Sequence, residues 1–210
     1  LVALLLVGCG RRSTWEDSDA DPAESVALYD GQELLRARRV ADATQHFESL
    51  VARWPTSWRA HRALQDAHRQ GLTPGDFHHR YTDAVEDRPD DGLAWYLRGR
   101  ALIADREEAK RCLDRSIELE PNRPWAYVGL AYLHYARGDL FSAVELYEQT
   151  TARLPRSRAL RLAAANQYIE LRLLVKAQRQ LEVALVLAPD DPAVQAAMGK
   201  VQVGLNNDAG

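Results

Sequence analysis

The sequence predicts an all-α protein, an α-solenoid of about five helix-turn-helix repeats closed by a C-terminal helix. Three observations lead there. Five prolines, Pro55, Pro89, Pro121, Pro155 and Pro189, recur at intervals of 34, 32, 34 and 34 residues. Twelve residues before each stands Ala43, Phe77, Ala109, Ala143 or Ala177, and eight before each stands Phe47, Tyr81, Leu113, Tyr147 or Leu181. From Ser25 onward Ala, Leu and Arg recur at helical spacing with almost no clusters of β-branched residues. A fixed period of this length marks stacked units that each bury an apolar face against a neighbour. A chain of 210 residues, 46% apolar and 27% charged, has the material for such a core.

The chain opens on residues 1–8, an apolar run far shorter than the roughly 20 residues needed to span a bilayer. It has no basic region and no initiating Met before it, and it reads as the end of a secretory signal peptide. The four residues Leu6-Val7-Gly8-Cys9 resemble a bacterial lipobox, in which small residues admit the chain to a peptidase and the thiol receives lipid. That resemblance implies a lipid-modified Cys9, and several acyl chains on one residue hold a protein stably where a single chain does not. Gly10 stands where an Asp would, in some bacteria, signal inner-membrane retention, so the resemblance favours the outer membrane. Residues 9–23, polar, acidic and broken by Pro22, are expected to form a flexible tether.

The repeats then follow as residues 24–57, 58–91, 92–123, 124–157 and 158–191, with residues 192–210 forming a closing helix and tail. The fourth unit has the clearest second helix, GDLFSAVELYEQTTARLP: Gly138 turns the chain, Ala143 admits a close helix approach, Tyr147 fills the core and Pro155 stops the helix. The third unit has the clearest first helix, WYLRGRAL, but is two residues short, a loss expected in its inter-helix turn. The second unit carries Phe77 at the small-residue place, which should distort local packing. Ala193 to Leu205 is expected to cover the open end of the fifth unit.

This pattern resembles the tetratricopeptide repeat, W-x2-L-G-x2-Y…A-x3-F…P, with Trp95, Gly99 and Leu102 in its aromatic, glycine and large-residue places. The resemblance covers about Glu24 to Asp191 and implies pairs of antiparallel helices whose first members line a concave binding groove.

Nothing in the chain points to catalysis. His61, His68, His78 and His79 fall in the second unit without an accompanying Cys or Asp pattern, so packing or surface roles are expected and no metal site. No GxSxG, HExxH, P-loop or GxGxxG sequence occurs, and the acidic runs read as a solvated tail and a helix face. A net charge of -3 excludes a generic nucleic-acid binder. Two cysteines, Cys9 and Cys112, make neither a disulfide framework nor a zinc site, and Cys112 reads as a small buried hydrophobe. No cofactor and no small-molecule substrate are expected.

The resemblance directs attention to the first helices, one step round from their packed face, at i, i+4 and i+7. That stripe is Leu28, Gln32 and Leu35, then Arg59, Arg62, Asp66 and Arg69, then Tyr96, Arg100 and Ile103. It continues as Trp125, Val128, Tyr132 and Tyr135, and ends as Leu162, Asn166 and Ile169. The expected binding residues are Tyr96, Trp125, Val128, Tyr132, Tyr135, Leu162 and Ile169, with Arg100 and Asn166 for polar direction, and Arg59, Arg62 and Arg69 form a secondary basic patch. The two-carboxylate clamp of Lys, Asn and Arg used by some tetratricopeptide domains is absent. The function so implied is a membrane-anchored scaffold or assembly factor that binds a protein or peptide. Lipoproteins of this build resemble pilotins of secretin and type IV pilus assembly, or adaptors of peptidoglycan hydrolases. A self-associating structural solenoid is the alternative of another kind.

Overall fold

A computed structural model of the chain describes residues 22–71 and 75–208. Cys9 and most of the expected tether lie outside the described residues, as do the side chains of Phe77 and His78. The described residues form helices only: α1 (Pro22–Arg36), α2 (Val40–Arg53), α3 (Trp58–Gly71), α4 (Gly75–Asp87), α5 (Gly92–Ala101), α6 (Arg106–Leu119), α7 (Pro124–Ala136), α8 (Leu140–Arg153), α9 (Arg158–Glu170), α10 (Leu174–Leu187) and α11 (Pro192–Asp208). The first helix begins at Pro22, two residues before the expected start of the first repeat, since proline is well placed in a helix's first turn.

Helices α1, α5, α7 and α9 each pack against the helix that follows, α3 meets α4 through His61 and Tyr81, and odd helices also touch one another in succession, α1 to α3, α3 to α5, α5 to α7, α7 to α9 and α9 to α11. Among the described residues no pair of successive second helices makes contact of that extent. The first helices are therefore crowded together on the inside of the stack.

The recurring prolines organise the turns between units. Behind each, the N–H of the residue two places on donates to the carbonyl of the residue before the proline, as in Ser57 to Trp54 and Asp191 to Ala188. That residue then caps the next helix: Ser57, Asp91, Ser157 and Asp191 each accept from first-turn N–H groups through their side chains. The proline carbonyl itself is held by the side chain six residues on. His61 Nε2 pairs with Pro55 at 3.0 Å, Trp95 Nε1 with Pro89 at 2.7 Å, Tyr127 Oη with Pro121 at 2.9 Å, Arg161 Nε with Pro155 at 2.8 Å and Gln195 Nε2 with Pro189 at 2.8 Å. Five chemically different donors do one job, which is why residue identity hid the position in the sequence.

Within units, three connections share one geometry. Arg38, Gly138 and Arg172 have φ of 61°, 78° and 59°. Each donates to the carbonyl three residues back, and the next residue donates to the one five back, a Schellman ending for α1, α7 and α9. The third unit lacks this device. Its two-residue deficit falls in the helix, not in the turn as expected: α5 has 10 residues where α7 and α9 have 13, and the connection spans residues 102–105. With no residue at positive φ, the chain leaves the helix early and closes by Asp105 N–H to the Leu102 carbonyl at 2.8 Å.

The positions that carry the period form the core. Ala43, Ala109, Ala143 and Ala177 are fully buried, and so, to within a few per cent, are Phe47, Tyr81, Leu113, Tyr147 and Leu181. Burial pushes the Tyr81 phenol up to about 12 and raises that of Tyr147 as well. Alanine at the first set lets the paired helices approach, and the large residue one turn on fills the gap. At the far end α11 buries Val194, Ala197 and Val201 and turns Gln195, Gln202 and Asn206 outward. An apolar face is thereby exchanged for a mixed one, in which Val203 is exposed beside Lys200 and Gln202. Among the described residues no helix is long and apolar enough to cross a membrane.

Candidate functional site

Stacking superposes residues one repeat apart, and this registers the inner layer into three rows. One row runs Arg62, Tyr96, Val128, Leu162, the next Asp66, Arg100, Tyr132, Asn166, and the third Arg69, Ile103, Tyr135, Ile169. The basic patch and the aromatic stripe, separate in sequence, are thus one surface. A pocket of about 310 Å³ opens in it, lined by Arg62, Asp66, Arg69, Tyr96, Arg100, Ile103, Leu113, Val128, Gly129 and Tyr132.

The rim is a charge cluster. Asp66 accepts from Arg69 Nη1 at 2.9 Å and from Arg100 Nη2, and Arg62 Nε lies 3.9 Å from its other oxygen. Arg69 reaches on to the Arg100 backbone carbonyl at 2.7 Å, tying α3 to α5. Three guanidinium groups thus surround one carboxylate. Arg100 Nε is buried and meets no acceptor. Burial, and then the neighbouring Arg100, hold the Arg69 guanidinium below its usual range, against Asp66, which favours the charge. Such a guanidinium still does not release its proton, so the strain is felt as excess positive charge.

The floor is apolar. Leu113 of α6, fully buried in the second-helix layer, packs directly beneath Gly129: a methyl group on Gly129 would lie 2.9 Å from Leu113 Cδ2. Equivalent places in neighbouring units hold Ala63, Leu97 and Ala163. Sequence reasoning missed both as groove residues. Aligning the units beside each other would have shown the glycine as the odd one out, but nothing local marks Leu113 as lying beneath the groove.

The expected aromatic anchors divide. Tyr132 is 49% exposed, stands at the mouth and can receive a partner. Trp125 is only 5% exposed and does not line the pocket; its ring lies between Trp58 at 6.2 Å and Tyr96 at 6.1 Å, with Arg123 over it at 5.1 Å. It is packing between units rather than an open anchor, because it sits a turn before the groove rows and its side chain points back toward the preceding unit. Tyr96, 4% exposed, is a pocket wall backed by Trp125, and Leu28 is likewise core. Tyr135 is half-buried beside the pocket, and Arg59, half-buried on α3, is outside it. Farther along, Leu162 and Ile169 pack partly into the C-terminal core while Asn166 is exposed. Among the described residues no three His, Cys, Asp or Glu side chains converge as a metal site would require.

The description of the matching protein-family model is "Tetratricopeptide repeat", and it covers residues 30–74 and 104–158. No curated protein matches the chain by sequence. Solved structures match over most of it. A thermophilic tetratricopeptide repeat protein of Thermus thermophilus is 19% identical, with 86% of this chain and 99% of that one covered and a TM-score of 0.58. A chain of the APC/C hetero-tetramer Cut9–Hcn1 is 19% identical over 90% of this chain and 37% of that one, with a TM-score of 0.59. A tetratricopeptide repeat protein of Parabacteroides merdae is 16% identical over 89% and 74%, with a TM-score of 0.55. At these identities the likeness establishes the fold, a tetratricopeptide-like helical solenoid.

Proposed function

We propose that this chain is a cell-envelope lipoprotein, anchored through Cys9 and facing the periplasm from the outer membrane, that binds a segment of a partner protein in its concave groove and assists assembly in the manner of a pilotin. The observation that supports binding is the pocket itself. Arg62, Arg100, Val128 and Tyr132, drawn from three repeats, converge on one opening whose charge and apolar surface no other part of the described chain covers. A close grouping of phenol and guanidinium groups around an apolar floor has the make-up of a binding hot spot.

The test is made in cells producing the chain from a complete precursor. A photo-crosslinking residue at position 132 should capture a discrete partner, while one at Val186, far out on α10, should not. Identification of a secretin subunit supports the pilotin reading, and a wall hydrolase shifts it to an adaptor. Equal capture from both positions, or none from 132, removes the groove reading. Metabolic labelling with a palmitate analogue, lost in Cys9→Ser, tests the anchor independently.

A further inference from the structure

We infer that the groove pocket selects an internal partner segment in which an acidic side chain neighbours an apolar one, the apolar group over Gly129 against Val128 and Ile103 and the carboxylate among Arg62, Arg69 and Arg100. This rests on the groove reading and specifies its ligand. At about 310 Å³ the pocket is at the small end of ligand sites, which run from about 300 to 1,000 Å³. It holds one or two side chains, not a whole helix.

Charge complementarity decides the acid. Asp66 is one carboxylate shared by three guanidinium groups, and Arg100 Nε has no acceptor. A second carboxylate placed at the rim, within reach of the more exposed Arg62 and Arg69, answers the excess positive charge and relieves the repulsion between Arg69 and Arg100. A basic ligand would add to that repulsion and a neutral one would leave it. The apolar neighbour follows from the floor: half-buried Val128 and Ile103 offer aliphatic surface, and Gly129 between them adds no side chain of its own.

An internal residue fits better than a chain end. The polar lining consists of guanidinium, carboxylate and phenol groups, and no side-chain amide lines the pocket to hold the backbone of a terminal residue. The rows also continue beyond the pocket to Leu162, Asn166 and Ile169, so the bound chain has surface to run along on the far side.

The probe is a displayed library of random heptapeptides with both ends embedded in the carrier protein, selected on the full chain, beside a second library with free C termini. Enriched internal sequences should pair Asp or Glu with Leu, Ile, Met or Phe. For a selected peptide, Glu→Gln in the peptide and Arg62→Gln in the protein should each weaken binding about tenfold. Combined, they should cost little more than either alone, the signature of a direct contact. Arg62 suits this test because its side chain is 47% exposed and its one ion pair is long, so the fold is preserved. Gly129→Ala should weaken peptides with a large apolar residue more than those with Ala in its place, with circular dichroism confirming the fold. Enriched sequences without acidic residues, additive effects of the two Gln substitutions, or enrichment only in the free-terminus library would overturn the inference and leave the groove reading standing. Peptides that bind but ignore both Tyr132→Ala and Arg62→Gln would instead remove the groove reading itself.

Discussion

Two glycines in helices of this chain should respond to the same substitution with opposite signs. Both sit inside a helix, where alanine is intrinsically better by about 0.8–1 kcal/mol. At Gly199 in α11 nothing lies within 4 Å of the place a methyl group would take, so Gly199→Ala realises that gain. At Gly99 in α5 the methyl group would meet the Ala109 carbonyl oxygen at 3.0 Å, Cys112 Cβ at 3.1 Å and Leu113 Cγ at 3.1 Å. The first of these is backbone of α6 and cannot swing aside, and Leu113 is fully buried under the pocket. Overpacking of this kind costs about 1–3 kcal/mol, and subtracting the propensity gain leaves a net loss near 1 kcal/mol for Gly99→Ala. In a chain of this size 1 kcal/mol moves the midpoint by about 2–4 °C, so the two variants should fall on either side of the parent by a few degrees. Thermal and denaturant unfolding should be followed by both circular dichroism and tryptophan fluorescence, because repeat arrays need not unfold as one unit. If both variants shift in the same direction, the close approach of α5 to α6 is not what keeps Gly99 small, and the packing argument fails.

Other consequences are as definite. Arg38→Gly should stabilise by about 0.5–1 kcal/mol, since its φ of 61° costs an arginine about 1–2 kcal/mol and costs glycine only its greater unfolded freedom; an unchanged denaturation midpoint would contradict this. Trp125→Ala should destabilise by about 3–5 kcal/mol as a buried aromatic, while Tyr132→Ala should leave the melting temperature near the parent value. His61 is held below its ordinary 6.5 first by burial, with Arg80 and Arg88 adding to the effect and the Pro55 hydrogen bond and Glu48 opposing it. The unfolded chain therefore takes up a proton where the folded one does not, and this contribution is intact above about pH 6.5 and is lost as the pH falls below it. His61→Gln, which keeps a donor for Pro55 as Gln195 does for Pro189, should flatten the stability curve in that window; an identical pH profile would refute the assignment. Burial raises the Cys112 thiol to about 11, so at pH 8 on the order of one molecule in a thousand carries the thiolate. In a Cys9→Ser background a soluble maleimide should label Cys112 only on unfolding, and rapid native labelling would show that α6 opens.

Much of this architecture is local and was therefore legible in the order of residues. The proline period, the alanine twelve residues back and the large residue eight back place the helix pairs and their shared interior, because a residue that stops a helix and a residue that lets helices touch act within one or two turns of themselves. The face that Arg100 and Tyr132 occupy was legible for the same reason, since helical spacing puts them one step round from the packed positions. What the chain's order could not show were contacts made between units. Whether an aromatic on that stripe is a wall or a mouth depends on the helix before it, and so Trp125 disappears between Trp58 and Tyr96 while Tyr132, seven residues on, stays open. Asp66 and Arg100 are 34 residues apart in the chain and paired in space, and position 129 in the next unit stays a glycine's width because buried Leu113 packs directly beneath it. The missing turn of α5 had the same origin: two residues can be lost from helix or from connection, and the choice lies with which one its packed neighbours can spare. Periodicity sets which residues face the groove, and the register between neighbouring helices, a long-range packing quantity, sets what they meet there.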